Sequence, residues 1–178
     1  MSRYLTKKSC IGILISEGER KGPLKITALE EYGLRCLLQL AQAKATEGLT
    51  VKEIASREGM SPAYVEKLLR LLGKSGLIHS VRGMHGGYLL SRTPQQITLR
   101  EVVQALGSIP TTEEICDRHP GNRRNCVHIE ECCIRSAWAT LTHAISGFLD
   151  KVYISDLMGP EQKVRQSLEQ RITTSFSV

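Results

Sequence analysis

The sequence between residues 50 and 76 reads TVKEIASREGMSPAYVEKLLRLLGKSG, and its spacing predicts a helix-turn-helix. Ala55 is small where the two helices must approach closely, and Gly59, four residues later, suits a turn that needs a positive φ. Val65 follows as an apolar anchor on the second helix, which Ser61-Pro62 begins as N-cap and first-turn proline. The same spacing also fits an ordinary helical hairpin in a globular core, so the flanking sequence has to decide between the two.

A glycine-rich segment follows directly, because residues 77–90 read LIHSVRGMHGGYLL. Strand-like flanks around a glycine-rich tip are typical of a β-hairpin with a longer loop. A hairpin in this position is a wing, and Arg82 and His85 lie at its tip. An arginine there can enter a narrow, electronegative minor groove of double-stranded DNA. The wing therefore favours a DNA-binding module over a helical hairpin.

The second helix of this module is expected to lie in the major groove with its first turns toward the bases. Its outward-facing candidates for DNA contact are Ala63, Tyr64, Glu66, Lys67 and Arg70. Tyr64 and Lys67 can contact phosphates or base edges, and Ala63 can meet a thymine methyl group. Glu66 either accepts a hydrogen bond from a cytosine amine or discriminates against unsuitable sites. Arg70 is either a further contact or an ordinary solvated arginine.

Three amphipathic segments begin with a threonine that is followed three residues later by a glutamate, namely Thr27/Glu30, Thr50/Glu53 and Thr98/Glu101. In such a capping box the threonine hydroxyl accepts from the amide three residues on, and the glutamate accepts from the threonine amide. The boxes and the apolar spacing behind them predict helices over about 28–43, 51–57, 62–75 and 99–106. The first helix is expected to bury Leu34, Leu37, Leu38 and Ala41. With the hairpin, these helices predict a mainly α fold with a small β-hairpin wing.

The chain divides by composition into five parts. They are a loosely ordered extension or upstream sequence (1–23), the winged helix-turn-helix domain (24–106), a cysteine-bearing loop (107–131), a long dimerisation helix (132–158) and a polar tail that is a short helix or disordered (159–178). The long helix carries apolar side chains at heptad-like spacing, at Ile134, Trp138, Leu141, Ile145, Phe148 and Val152. That stripe suits a helix packed along another helix.

Composition narrows the classes of function. The 178 residues carry a net charge of +6 and a pI of about 9.1, which suits a polyanionic partner such as DNA.

No apolar run in the sequence approaches the roughly 20 apolar residues of a membrane span. The apolar run 10–15 is too short for a secretory core, so we expect a cytoplasmic protein without a membrane partner. No Ser-His-Asp arrangement, phosphate loop or carboxylate pair in a cleft is evident, so an enzyme is not expected.

Six cysteines in a reducing compartment indicate metal or redox chemistry rather than a disulfide framework. Cys116, Cys126 and Cys132 lie in one irregular segment, with Cys133 directly after the third. Thiolates bind soft metals well, so an iron–sulfur cluster and a zinc ion are both reasonable occupants. Adjacent side chains leave a helix about 100 degrees apart, so only one of the adjacent pair should point into a given site. Cys36, on the apolar side of the first helix, is expected in the core.

Several features of the sequence belong together: LKIT and EYGLR within residues 24–35, SPAYVE at 61–66, SVRGMHGGYLL at 80–90, the spacing Cys126-x5-Cys132, and Trp138 in the long helix. From Leu24 to about Met158 they resemble the bacterial iron–sulfur winged-helix transcription regulators typified by IscR, NsrR and RirA. The resemblance implies a homodimer with an iron–sulfur cluster, 2Fe–2S or 4Fe–4S, near the dimer interface. It also implies DNA contacts at Ala63, Tyr64, Glu66 and Arg82.

Carried over by position, the resemblance assigns the cluster ligands to Cys116, Cys126 and Cys132. Cys133 is an additional thiol that could serve as an alternative ligand. Some members supply a histidine three residues after the third cysteine, where this chain has Arg135, whose guanidinium has no free lone pair. Others supply an acidic residue from helix 1 of the partner subunit, and that position here is Glu31. Glu31 is thus the expected fourth ligand in trans; otherwise it is an ordinary exposed first-turn glutamate.

Together these patterns predict a homodimeric transcription regulator, acting as a repressor, that senses redox state, nitric oxide or iron through its cluster. A change in the cluster is expected to change DNA affinity by about 1–3 kcal/mol of coupling. Three alternatives stay open. One is the same fold using zinc or a thiol switch in place of the cluster, another is a cluster-bearing electron carrier, and the last is a winged helix that docks onto proteins.

Overall fold

The computed structural model describes residues 26–43, 48–83, 86–107 and 109–176, with side chains as far as Thr173. The expected extension (1–23) and His85 at the wing tip lie outside the described residues. In chain order the elements are α1 (Ala28–Gln42), α2 (Val51–Glu58), α3 (Pro62–Lys74), β1 (Ile78–Val81), β2 (Gly87–Leu90), α4 (Leu99–Leu106), α5 (Thr112–Arg118), α6 (Cys133–Leu149) and α7 (Glu161–Phe176). Two 3₁₀ turns, Pro94–Gln96 and Ile154–Leu157, join them. The mainly helical architecture with one antiparallel strand pair confirms the predicted fold class.

All three expected capping boxes are present. The backbone amides of Thr27, Thr50 and Thr98 donate to the glutamate three residues on at 2.7, 2.7 and 2.8 Å, respectively. The amide of Thr50 also lowers the pKa of the carboxyl group of Glu53, because its hydrogen bond favours the charged form. These caps begin α1, α2 and α4 at the residues that the sequence predicts.

The segment 107–131 is not a continuous loop, as the sequence had suggested. A fourth capping box, in which the amide of Thr111 donates to Glu114 at 3.0 Å, begins the short helix α5. Cys116 lies on this helix rather than in a loop. The helix forms for the same reason as the three predicted ones, since its first amide groups are satisfied by side chains.

The core lies between α1, α3 and α4 and consists of aliphatic side chains. Along α1 the fully packed positions are Cys36, Leu37 and Leu40, whereas the expected Leu34, Leu38 and Ala41 are only half-buried. Gly33 also lies on the buried face of α1. A Cβ at Gly33 would lie 2.4 Å from Cδ2 of Leu106, so the glycine lets α1 approach α4 closely on that side.

The two strands of the wing pair from Ile78 with Leu90 to Val81 with Gly87. Leu49, just before α2, exchanges backbone hydrogen bonds with Tyr88 at 3.1 and 2.9 Å, which fixes the hairpin against the helix-turn-helix. The wing is therefore held in place by backbone pairing on both sides of β2.

The long helix predicted over 132–158 is shorter in the structure, because α6 ends at Leu149. Val152, which the heptad-like spacing had placed on the helix stripe, is instead fully buried in the core. Its carbonyl accepts from the amide of Leu99 at 2.7 Å, and the amide of Ile154 donates to the carbonyl of Ile97 at 3.0 Å. These tertiary hydrogen bonds replace those of a continued helix. The polar tail forms α7, where Arg171 is paired with Asp156 at 2.7 Å.

Cys36 provides a test of how well this core is packed. Burial, together with the carboxylate of Glu58, raises the pKa of its thiol to about 12. In the unfolded chain a thiol has a pKa of ~8.5. The raised pKa of the buried thiol therefore contributes to the free energy of unfolding in full below that pH, and this contribution is lost as the pH rises toward about 12. We expect iodoacetamide at about pH 8 to leave Cys36 unmodified in the folded protein and to modify it in urea, as read by peptide mass spectrometry. Equal modification rates in both conditions would contradict a closed core.

Candidate nucleic-acid interface and cysteine site

The turn between α2 and α3 has the predicted geometry. Gly59 adopts the left-handed conformation with φ 66° and ψ 33°, and the amide of Met60 donates to the carbonyl of Ala55 at 3.0 Å. Ser61 caps α3 by accepting from the amide of Tyr64 at 3.3 Å. Val65 is fully buried, as expected for the anchor of the second helix. The backbone of the helix-turn-helix is thus set by one glycine, one serine cap and one apolar anchor.

The candidate DNA-contact residues of α3 fall on its outer surface, where Ala63, Glu66, Lys67 and Arg70 are exposed. Glu66 and Arg70 pair with each other at 3.3 Å, but their side chains stay 58% and 66% exposed, so each keeps polar groups available to DNA. Tyr64 differs from the others because it is half-buried and packs edge-on against Tyr32 of α1, with ring centroids 5.9 Å apart. Sequence spacing does not predict this contact, because it joins two different helices.

In the wing, Arg82 is exposed directly after β1, where the chain leaves the paired strands. The amide of Gly86 donates to the carbonyl of Gly83 at 2.9 Å and closes the base of the tip. Arg82 and the outer surface of α3 are separate basic features joined by a short β1 strand. This is the arrangement that can place one element in a major groove and the other beside it in a minor groove.

The three cysteines carried over from the resemblance lie around one small cavity. Cys116 from α5, Cys126 from the following loop and Cys132 at the start of α6 all line this cavity of about 100 Å³, and all three are half-buried. Arg124 and Arg135 also line it. The fold therefore gathers side chains that are up to 16 positions apart in the sequence into one place.

Arg135 takes part in shaping this loop. Its backbone amide donates to Sγ of Cys132 at 3.4 Å, so the cysteine acts as the cap of α6. Its guanidinium donates to the carbonyl of Ile129 at 2.8 Å and to that of Glu130 at 3.4 Å. The arginine thus ties the loop before α6 to the helix itself. From the sequence alone, the only expectation for this residue is that it is unable to act as a ligand.

Asp117 and His128 also line the cavity, whereas the other two ligand candidates named from the sequence, Cys133 and Glu31, lie elsewhere. Cys133 is exposed and contributes to an apolar surface with Ile134, Trp138 and Leu141, on a different side of α6 from the cavity. Glu31 does not line the cavity either, since its carboxylate pairs with Arg35 at 2.9 Å on α1. Within the described ranges, no three Cys, His, Asp or Glu side chains converge closely enough to form a complete metal site.

A helix-turn-helix followed by a two-stranded wing defines the class, and the protein is a winged-helix, DNA-binding transcriptional regulator rather than an enzyme. The family model described as Rrf2, iron-dependent transcriptional regulator, matches residues 26–160. The chain belongs to this Rrf2 family, which confirms the resemblance noted in the sequence.

Individual relatives agree with this assignment. Protein rrf2 of Nitratidesulfovibrio vulgaris is 34% identical over 135 residues, which are 76% of this chain and 87% of that protein. The solved structure of T. potens IscR matches with a TM-score of 0.60 and 29% identity, over 76% of this chain and 87% of that one. The structure of CymR, the global cysteine regulator of B. subtilis, matches with a TM-score of 0.59 and 30% identity, over 75% of this chain and 95% of that one. None of the helices in the described ranges combines the length and apolar character that a membrane crossing requires.

Proposed function

We propose that this regulator is a homodimer whose affinity for DNA is set by an iron–sulfur cluster held by Cys116, Cys126 and Cys132. The observation that carries the proposal is that these three thiols, from α5, a loop and α6, line one cavity. Cysteine thiolates are the usual ligands of such clusters. When bound, the cluster supplies iron that reacts with oxidants and nitric oxide and is lost when iron is scarce.

The chain's own residues fit this role in donor type, although the three thiols do not yet converge into a complete metal site within the described residues. The cavity is small, so a bound group would require the three half-buried thiols to adjust around it. Arg124 and Arg135 also line the cavity and would offset the negative charge of the thiolates that hold a bound cluster. Arg135 also holds the loop through its two backbone carbonyl contacts, which keeps the thiols near one another before any metal arrives.

We assign the fourth ligand to Glu31 of a second copy of the chain. The cavity draws no carboxylate from α1 of its own chain, and the side chain of Glu31 is about half exposed, with a relative exposure of 50%. It is therefore accessible to a second subunit once it releases Arg35. An oxygen ligand to iron is exchanged more readily than a thiolate, which suits a site that has to respond to a signal.

An apolar stripe on α6 supports the dimer. Ile134, Trp138 and Leu141 are 63%, 44% and 48% exposed in the single chain. Large apolar side chains in such a cluster indicate a surface that a partner covers. Pairing two α6 helices through this stripe would place the nearby cysteine site at the junction of two subunits, where it can influence the spacing of two recognition helices. We infer repression, in which the dimer occupies a promoter.

A thiol switch without a cluster is the second candidate. It is supported by the similarity to a cysteine regulator and by the lack of a complete metal site in the described part of the chain. Iron and sulfide analysis with an anaerobic absorption spectrum separates the candidates, because a zinc or thiol form is colourless. The cluster proposal predicts a brown protein, and Glu31→Ala is expected to weaken retention of the iron. Iron-free protein from anaerobic, iron-replete cells would contradict the proposal.

The DNA interface can be tested by salt dependence. Lys67→Ala and Arg82→Ala each remove an exposed cation, so each is expected to weaken binding about 3- to 10-fold and to lower the salt slope by about one. The measurement is the dissociation constant of a duplex selected by the wild-type protein from a random-sequence pool, across a salt series. Arg165→Ala on α7 is the matched control, since this exposed arginine lies far along the chain from the module. Slopes that are identical for all four proteins would contradict the assigned interface.

A further inference from the structure

A second, larger cavity lies between α4, the segment 109–113 and α6. Its volume is about 350 Å³, compared with about 100 Å³ for the cavity that the three thiols line. Sites for small molecules typically have volumes of about 300–1,000 Å³. No residue of α3, of the wing or of the cysteine cavity lines it. The cavity therefore has room for a small molecule and belongs to neither of the sites described above.

The wall that α6 contributes to this cavity is made largely of small side chains, including Ala139, Ser146 and Gly147. A Cβ at Gly147 would meet no heavy atom of another part of the described chain within 4 Å, so open space reaches the helix backbone there. Successive side chains turn by about 100° around a helix, which directs this wall away from the apolar stripe of α6. Pairing of two subunits through the stripe therefore does not use this face.

Two opposite charges line the cavity side by side. Nη1 of Arg100, from α4, donates to Oδ2 of Asp150, directly after α6, at 2.6 Å. The two side chains are 39% and 47% exposed, so a solute can reach both. A guanidinium has five N–H donors and a carboxylate has two acceptor oxygens, so both groups keep hydrogen-bonding capacity beyond their own contact. Gln104, His143 and Ser146 also line the cavity, and none of these three has a hydrogen-bond partner within the described residues.

The lining narrows the chemical class of the ligand. Glu113 is a second carboxylate in the lining, and two carboxylates facing one arginine disfavour a phosphate group. Among the described residues that line the cavity there is no Phe, Tyr or Trp on which a nucleobase or a sugar ring could stack. Aliphatic side chains complete the lining, at Val103, Ile109 and Leu149. The cavity thus combines one positive group, a neighbouring negative group and an apolar wall.

We propose that this cavity is a binding site for a zwitterionic α-amino acid with an aliphatic side chain. The carboxylate of the ligand accepts from the guanidinium of Arg100, and its ammonium group donates to the carboxylate of Asp150. Its side chain lies against the aliphatic part of the lining. Because the ligand contacts both α4 of the winged-helix domain and α6, its binding links these two parts of the chain. The site needs no iron–sulfur cluster, so it goes beyond the function proposed above.

The test is an NMR titration of the isotope-labelled full-length protein with L-alanine, L-valine, L-isoleucine and L-leucine. At least one of these four should bind saturably and shift the amide signals of Ala139 and Gly147. The amine and the carboxylic acid that remain when the ligand loses its carboxylate or its ammonium group are titrated in parallel. Each should bind about 10- to 100-fold more weakly than the amino acid, because each lacks one charge-assisted hydrogen bond.

Two variants locate the binding site. Arg100→Gln should weaken binding of the amino acid about 10- to 100-fold but leave binding of the corresponding amine unchanged, because the amine has no carboxylate for the arginine to recognise. Gly147→Leu should abolish binding by filling the cavity, and the open space at this glycine lets the new side chain fit without displacing the walls. Thermal unfolding curves check that both variants are folded.

Thr140→Leu is the matched control for the filled cavity, because Thr140 is exposed on α6 and does not line the cavity. This variant should bind the amino acid with the affinity of the wild-type protein. The proposal is overturned if none of the four amino acids binds saturably, or if Gly147→Leu binds as well as Thr140→Leu. It is also overturned if Arg100→Gln weakens the amine and the amino acid equally, since the arginine would then act only on the structure. Iron content does not enter these measurements, so the cluster proposal stands or fails separately.

Discussion

Replacing Cys126 with alanine is expected to abolish cluster binding, with loss of bound iron, sulfide and visible absorption. Cys126 lies in the loop between α5 and α6 and lines the cavity together with Cys116 and Cys132. Removing it leaves two thiols, too few to hold a cluster with one carboxylate. The DNA affinity of the variant should equal that of the wild-type protein after its cluster is removed, because the thiol is half-buried and takes no part in the helix-turn-helix.

Cys133→Ala is the matched control for this experiment. This thiol is next to Cys132 in the chain but lies on the apolar surface of α6, away from the cavity. We therefore expect the variant to keep its full iron and sulfide content. If Cys133→Ala loses the cluster while Cys132→Ala retains it, the assignment of Cys132 as the third thiol ligand is wrong and Cys133 is the ligand.

Gly87→Ala is expected to have the largest effect on the wing. A Cβ at this position would lie 2.7 Å from the backbone carbon and oxygen of Leu49, and the residue has φ +157°. The backbones of Leu49 and Tyr88 are hydrogen-bonded to each other in both directions. Neither backbone segment can therefore move away from a new Cβ without breaking these hydrogen bonds. We expect a loss of about 2–4 kcal/mol in the free energy of unfolding, and weaker DNA binding because the wing is displaced.

Gly73→Ala serves as the control for that substitution. The nearest heavy atoms to a Cβ at Gly73 belong to Ile78 and lie 4.0 Å away, an ordinary contact. Since the position is in helix α3, alanine should stabilise the protein by about 0.5–1 kcal/mol. Urea unfolding curves of the two variants give both numbers. Similar values for the two substitutions would contradict the close packing of the wing against Leu49.

Patterns among residues close together in the sequence were sufficient to predict most of the secondary structure. The capping boxes at Thr27, Thr50 and Thr98 predicted where three helices begin, because these contacts involve residues only three positions apart. Gly59 and Val65 predicted the helix-turn-helix in the same way, through one backbone conformation and one buried anchor. The capping box at Thr111 has the identical pattern, so the same rule also predicts where α5 begins.

Patterns of sequence spacing did not predict the tertiary contacts. Periodicity placed Val152 on the stripe of the long helix, whereas the backbone of residues 97–99 draws it into the core. The spacing of Glu31 and Arg35 is visible in the sequence as a four-residue pair, but the contact of Tyr32 with Tyr64 joins two helices. Spacing also gives no indication of how two subunits meet, so the ligand in trans and the DNA contacts remain predictions.

The most direct test of the central claim compares the DNA affinity of one preparation before and after its cluster is removed by a chelator under anaerobic conditions. Coupling through the cluster predicts a change of about 5- to 150-fold. A variant with alanine at Cys116, Cys126 and Cys132 should bind the same duplex with the affinity of the cluster-free wild type. Treatment with the chelator should leave the DNA affinity of this variant unchanged. If the protein contains no iron in any preparation, or binds DNA equally with and without it, a cluster does not control this regulator.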